Sequence, residues 1–181
     1  MFYLKQKEIL INLILMSIVW LSTSFSYYLL LSLVNTFDNV YETAVTGSIA
    51  EIVAYTVSGL LYEKIGVKLS LVISFALSTM GGILILAYGL EHESDPGFYI
   101  CFLLTKFGVS CLWNIVYNAN QYFFPVLFAA TAMGVCNFLA RLSTSFSYLA
   151  SEIDEPTPMY LFTFICGLSC IASTFLRTKK E

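Results

Sequence analysis

The stretch TAVTGSIAEIVAYTVSGLLYEKIGVKLSLVISFALSTMGGILILAYGL, residues 43–90, holds two apolar runs, 43 to 62 and 69 to 90, joined by one short charged segment, Glu63 to Lys68. An α-helix rising 1.5 Å per residue needs about 20 apolar residues to cross a hydrocarbon core about 30 Å thick, and each run has that length. The pair reads as two membrane-crossing helices linked at one membrane face. On either side the pattern repeats, with apolar runs at 10 to 34, 97 to 118, 126 to 150 and 159 to 176. Between them lie Asn35 to Glu42, Glu91 to Pro96, Ala119 to Pro125 and Ser151 to Pro158, which hold most of the remaining charges and turn formers. Helices are expected because hydrocarbon leaves no water to satisfy backbone groups, and the strands of a membrane barrel would alternate in polarity. The sequence therefore predicts an all-α membrane protein with six transmembrane helices. No linker interrupts the pattern, so residues 1–181 are expected to form one domain.

Composition points the same way. The 181 residues are 58% hydrophobic and 12% charged, against roughly 25% charged in soluble domains. A mean hydropathy of +0.78 also argues against a disordered chain, a nucleic-acid-binding protein and a disulfide-stapled secreted fold. The lipid bilayer is the expected surrounding. The first run follows Lys5 and Lys7 as a signal peptide would, but its apolar stretch of about 25 residues exceeds the roughly 7 to 15 of a signal peptide, so cleavage is not expected.

An even number of spans puts both termini on one side. Lys5, Lys7, Lys64, Lys68, Arg177, Lys179 and Lys180 all fall in the termini or the second-to-third connection. By the positive-inside rule that side is cytoplasmic. Asp38, Glu42, Glu91, Glu93, Asp95, Glu152, Asp154 and Glu155 fall on the other. The five cysteines, Cys101, Cys111, Cys136, Cys166 and Cys170, lie within spans and read as small buried hydrophobes. None has zinc-site spacing with a histidine nearby, and the lone His92 sits in an outer connection. No metal or other cofactor is expected. Nor do H-E-x-x-H, G-x-S-x-G or paired intramembrane aspartates occur, so the chain is not expected to be an enzyme.

Three ionisable side chains remain inside the spans: Glu51 in the second, Lys106 in the fourth and Arg141 in the fifth. Each lies on the order of 12 Å or more from the nearer helix end. A charge at that depth costs roughly 2.5 to 3.5 kcal/mol on insertion scales and should face a polar interior or a partner. Two readings stay open. The three groups line a solute pathway, their summed charge of +1 leaving one cation for an anionic group; or Glu51 pairs with Lys106 or Arg141 merely to fix helix packing. Asn114, Asn118 and Asn137 add amides that serve ligand contact or interhelical bonding equally well. Small residues at four-residue spacing, Ser74, Ser78 and Gly82, then Ala132, Cys136 and Ala140, suit close helix packing. The heptapeptide Leu-Ser-Thr-Ser-Phe-Ser-Tyr occurs twice, at Leu21 to Tyr27 and Leu142 to Tyr148. Hydroxyl back-bonding predicts flexure at both sites.

The second-to-third connection, Gly59-Leu-Leu-Tyr-Glu63-Lys64-Ile-Gly66-Val-Lys68, resembles the major facilitator superfamily signature G-x-x-x-[DE]-[RK]-x-G-[RK]-[RK], departing at Val67. Gly59 suits close helix approach, Gly66 a tight turn, and Glu63, Lys64 and Lys68 a gating contact. Further on, Lys106-Phe-Gly-Val-Ser, Asn114-Ile-Val-Tyr117, Tyr122-Phe-Phe-Pro125, Thr131-Ala-Met-Gly134-Val135 and Ala140-Arg141-Leu142 resemble the tenth and eleventh helices of the organic cation/anion transporter branch. Glu51 falls where that branch commonly carries an acid in its eighth helix. The resemblance spans about residues 10 to 176 and is to the second half of a twelve-helix transporter.

That resemblance implies one half of a major facilitator fold, binding a small organic solute near the midplane against a second six-helix half, by alternating access. The second half would be a missing N-terminal half or a second copy in a homodimer. The implied solute contacts are Arg141, Lys106, Glu51, Asn114, Asn137 and Tyr55. Arg141 matches an arginine of anion-handling members, while Tyr55 stands where several of them place a lysine. Tyr122, Val126 and Ala129 replace the branch's Glu, Thr and Arg, and its P-E-T motif is missing around Arg177. These losses also suit a non-transporting membrane partner or a degenerate remnant.

Overall fold

The computed structural model describes residues 7–34, 40–88, 96–154 and 156–176. They form six helices: α1 Lys7–Leu33, α2 Val40–Ile65, α3 Val67–Tyr88, α4 Pro96–Phe123, α5 Val126–Ser151 and α6 Thr157–Thr174. All six are long and apolar enough to cross a membrane, and the described residues contain no strand. The charges at positions 5, 38, 91, 93, 95, 155, 177, 179 and 180, together with His92, lie outside the described residues, as does the side chain at position 42.

Helix boundaries follow local chemistry. α5 and α6 start behind Pro125 and Pro156, where a missing N–H removes no helical bond. Between α2 and α3 a single residue, Gly66, turns the chain at φ +80°. Its carbonyl accepts both the Ser70 amide at 3.1 Å and the Ser70 hydroxyl at 2.8 Å. Only glycine takes that conformation without a Cβ penalty, which accounts for the predicted turn. One boundary differs clearly from expectation. Residues 119–123, read as connection, continue α4 to Phe123. Asn118 Nδ2 donates to the Asn114 carbonyl and Asn120 Nδ2 to the Ala129 carbonyl, at 3.2 and 2.9 Å, so both amide N–H groups are spent on helix backbone.

α1 and α4 are the inner helices. α1 packs on α4, α5 and α6, while α4 packs on α2 and α3, and α3 also packs on α6. α2 and α5 are the least buried spans. Trp20, Phe75, Phe98, Phe102 and Phe162 fill the apolar core. Close approach comes from small residues: a Cβ on Gly108 would sit 2.9 Å from the Ser78 amide, and one on Gly81 2.9 Å from the Thr105 amide. Gly82 faces α6 instead, where a Cβ would meet Phe162 at 3.1 Å. Among the described residues nothing lies within 4 Å of where a Cβ on Gly59 would be.

The duplicated heptapeptide finds its explanation in the α1–α5 seam. Ser17 with Cys136, Ser24 with Thr144 and Ser32 with Ser151 pair at separations of 119, 120 and 119 residues. A constant offset means the helices run parallel. The two copies are 121 residues apart in sequence, so they lie side by side, about one residue out of register.

Candidate functional site

The mid-membrane charges converge with aromatic residues on α1, α2, α4 and α5. Glu51 lies eleven residues from the start of α2, and Lys106 and Arg141 ten from the nearer ends of α4 and α5, on the order of 15 Å of helix in each case. Lys106 is buried, at 5% exposure. Its Nζ is 3.9 Å from Glu51 Oε2 and 4.2 Å from the centre of the Tyr27 ring, so a carboxylate and a π face answer one cation. Glu51 Oε1 accepts from the Tyr27 hydroxyl at 2.8 Å and the Tyr55 hydroxyl at 2.6 Å. The carboxylate is thus held by three groups from three helices.

Periodicity explains how these side chains meet. Glu51 and Tyr55 are four apart on α2, Lys106 and Trp113 seven apart on α4, and Arg141 and Tyr148 seven apart on α5, each pair sharing a helix face. Tyr27 stacks on Trp113 with centroids 5.4 Å apart and planes 19° apart. Tyr28 meets Trp113 edge-on at 6.2 Å and Tyr148 at 6.3 Å. Trp113 continues to Tyr117, and Tyr117 to Trp20.

Arg141 is placed differently from the other two charges. It is exposed, and its Nη1 donates to the Tyr28 hydroxyl at 3.2 Å. Among the described residues the Lys106–Glu51 contact is the only ion pair, so Arg141 has no carboxylate there.

The remaining predicted residues divide. Asn114 joins the cluster, its Nδ2 donating to Ser58 Oγ at 2.7 Å and to the Tyr55 carbonyl at 3.3 Å. Tyr55 belongs through Glu51. Asn137 is half-buried and makes none of the described hydrogen bonds. Glu63 and Lys64 are exposed at the end of α2, away from the cluster. Lys68 and Gly66 line a separate cavity of about 470 Å³ with Tyr122 and Thr174. Sequence reasoning missed Tyr27, Tyr28, Trp113, Tyr117, Tyr148 and Ser58. The signal was a four- or seven-residue spacing of Ser58 from Glu51, Trp113 from Lys106, Tyr117 from Trp113 and Tyr148 from Arg141, whereas Tyr27 and Tyr28 carried none. Among the described residues no His, Cys, Asp and Glu group has metal-site geometry.

Six apolar helices, four of them carrying a polar cluster at mid-span, form the architecture of a multi-pass membrane protein. No family model matches the chain. It is 27% identical over 170 residues, 93% of its length, to the Caenorhabditis elegans protein named "Putative transporter B0252.3". It is 26% identical over 167 residues, 88% of its length, to Solute carrier family 22 member 6-B of Xenopus laevis. These matches cover 33% and 29% of the two relatives, so the chain spans about a third of their length. The chain is a transporter-like membrane protein.

Proposed function

We propose that the chain forms one wall of a solute pathway in a major facilitator-type transporter of the organic cation/anion branch, facing a second six-helix body across the pathway. One observation carries this reading: Arg141 stands exposed at mid-membrane depth, beside an aromatic and charged patch built by α1, α2, α4 and α5. Hydrocarbon contact at that depth is costly, so a polar cavity or a second protein body should cover this face. Glu51 and Lys106 cancel each other's charge, which leaves the site with the single positive charge of Arg141. The solute is then a small organic anion, its acidic group on Arg141, with Asn114, Asn137 and Tyr55 alongside and Glu51 as carrier of a coupling proton. Both termini lie on the cytoplasmic side. Alternating access follows if the two bodies rock about this face.

The test is uptake into vesicles of native membranes that hold the chain together with any second body, with labelled benzoate as the anionic probe and tetraethylammonium as the cationic one. Saturable benzoate uptake that Arg141→Ala removes is the expected result. Equal uptake by wild type and variant would take Arg141 out of the mechanism. A second reading has its own support. Glu51 is already satisfied by three protein groups, and Tyr122, Val126 and Ala129 carry no charge, as suits a non-transporting membrane partner. Cross-linking in native membranes separates the two: a chain that couples to another membrane protein and takes up neither probe is the partner.

A further inference from the structure

Three hydroxyls converge on one backbone carbonyl, that of Ala140, immediately before Arg141. Ser24 Oγ reaches it from α1 at 2.9 Å, and Ser143 Oγ and Thr144 Oγ1 reach it from α5 itself at 2.9 and 3.2 Å. Ser24 comes from the first copy of the heptapeptide, the other two from the second. A carbonyl has two lone pairs, and the amide of the next helical turn already uses one, so these contacts compete. The hydroxyls also have alternatives across the seam: Ser143 Oγ lies 3.1 Å from the Leu21 carbonyl, and Thr144 Oγ1 lies 3.0 Å from Ser24 Oγ. Back-bonding of this kind loosens the helical bond it joins and favours bending. At Ala140 the contact that joins α5 to another helix is the one from Ser24.

Ser24 and Tyr28 are four residues apart on α1 and share a face. Ala140 and Arg141 are neighbours on α5. The seam therefore holds two consecutive α5 residues at two points one helical turn apart on α1, the Ala140 carbonyl at Ser24 and the Arg141 guanidinium at Tyr28. We propose that Ser24 is a positioning residue for Arg141: by holding the Ala140 carbonyl it keeps α5 where the guanidinium meets Tyr28, and its release lets α5 carry Arg141 away from the aromatic patch. Ser24 is buried at 1% exposure, so it acts through the backbone and does not touch a solute. The proposal rests on the solute-pathway reading only where transport is the readout.

Position can be read without transport. Ser17 Oγ lies 3.7 Å from Cys136 Sγ on the same seam, so Ser17→Cys offers a disulfide partner to a native thiol. In membranes holding the full chain, oxidation with copper phenanthroline should cross-link this pair rapidly, as seen by mass spectrometry of the linked peptides. Adding Ser24→Ala should slow the cross-link about fivefold, the population shift expected from losing one hydrogen bond of ordinary strength. Adding Ser24→Thr, which keeps the hydroxyl, should restore the rate. An unchanged rate with Ser24→Ala, equal slowing by both variants, or no cross-link with Ser17→Cys alone would overturn the proposal. In the uptake assay Ser24→Ala should raise KM with little change in kcat. If Arg141→Ala leaves uptake unaltered while the cross-linking pattern holds, the pathway reading fails and the positioning role stands.

Discussion

Lys106 sits in the protein interior because two contacts replace the water it leaves, the Glu51 carboxylate and the Tyr27 ring, and the Tyr27 and Tyr55 hydroxyls fix that carboxylate in place. Removing one member of such a pair costs more than removing both, because the survivor stays buried and uncompensated. Glu51→Gln should therefore destabilise the folded chain by about 2 kcal/mol, below the usual range for a fully buried pair because the Glu51 side chain keeps 18% exposure. The double variant Glu51→Gln with Lys106→Met should recover most of the loss. Thermal unfolding in detergent of wild type, both single variants and the double variant gives the coupling; additive losses would show that the two charges do not depend on each other. The individual charges were legible in the sequence, since Glu51, Lys106 and Arg141 interrupt apolar runs. Which of them pair was not, because pairing depends on helix rotation. Arg141 shows this, reaching Tyr28 where an acid was one of the open expectations.

Helix packing ties the cluster to the scaffold behind it. α4 presents Lys106 and Trp113 to α1 and α2 while its Gly108 lies against Ser74 and Ser78 of α3. A Cβ on Gly108 would stand 2.9 Å from a backbone amide, which cannot swing aside as a side chain would. Gly108→Ala should accordingly lower stability by about 1 to 3 kcal/mol, the range for overpacking a filled interior. Gly59→Ala, with open space around it, should be neutral or stabilising by up to about 1 kcal/mol. Thermal unfolding of the two variants side by side checks the pair, and equal effects would mean that α3 and α4 are not in close contact. The spans were readable because hydrocarbon thickness fixes helix length, and the small-residue rows marked real contact faces: Ala132, Cys136 and Ala140 are all buried. Two element-level features escaped. The end of α4 resembled a loop because Asn120 and Gln121 are polar, a pattern that cannot show the Asn120 amide bonding to a helix carbonyl. The repeated heptapeptide could not declare its partner, because only the fold shows that the two copies lie against each other.

At the scale of the whole molecule, the question is which surface meets lipid. α3 and α6 sit behind α1 and α4 and expose Met80, Ile83, Phe164, Leu168 and Ile171, a wholly apolar set suited to acyl chains. α2 and α5 also expose apolar residues, including Ile52, Phe138 and Phe146, but among these stand Arg141 and Tyr55, the latter 39% exposed. In lipid an arginine at this depth would cost several kcal/mol, whereas water or an opposing protein wall in a pathway would satisfy it. Labelling rates distinguish these surroundings, because a maleimide reacts with a thiolate and thiolates form in water rather than in hydrocarbon. On a background with the five native cysteines replaced, Arg141→Cys, Tyr55→Cys and Tyr148→Cys should react with a membrane-impermeant maleimide at least about tenfold faster than Ile83→Cys and Leu168→Cys, given the free-energy gap between aqueous and hydrocarbon surroundings for a charged sulfur. A bound solute should then protect Tyr148→Cys, a variant that keeps Arg141, and adding Arg141→Ala should remove that protection, since the pathway reading places the anionic group on Arg141. Uniformly slow labelling of all five positions would put the α2–α5 face in lipid, leaving Arg141 a strained surface charge and no pathway along this wall.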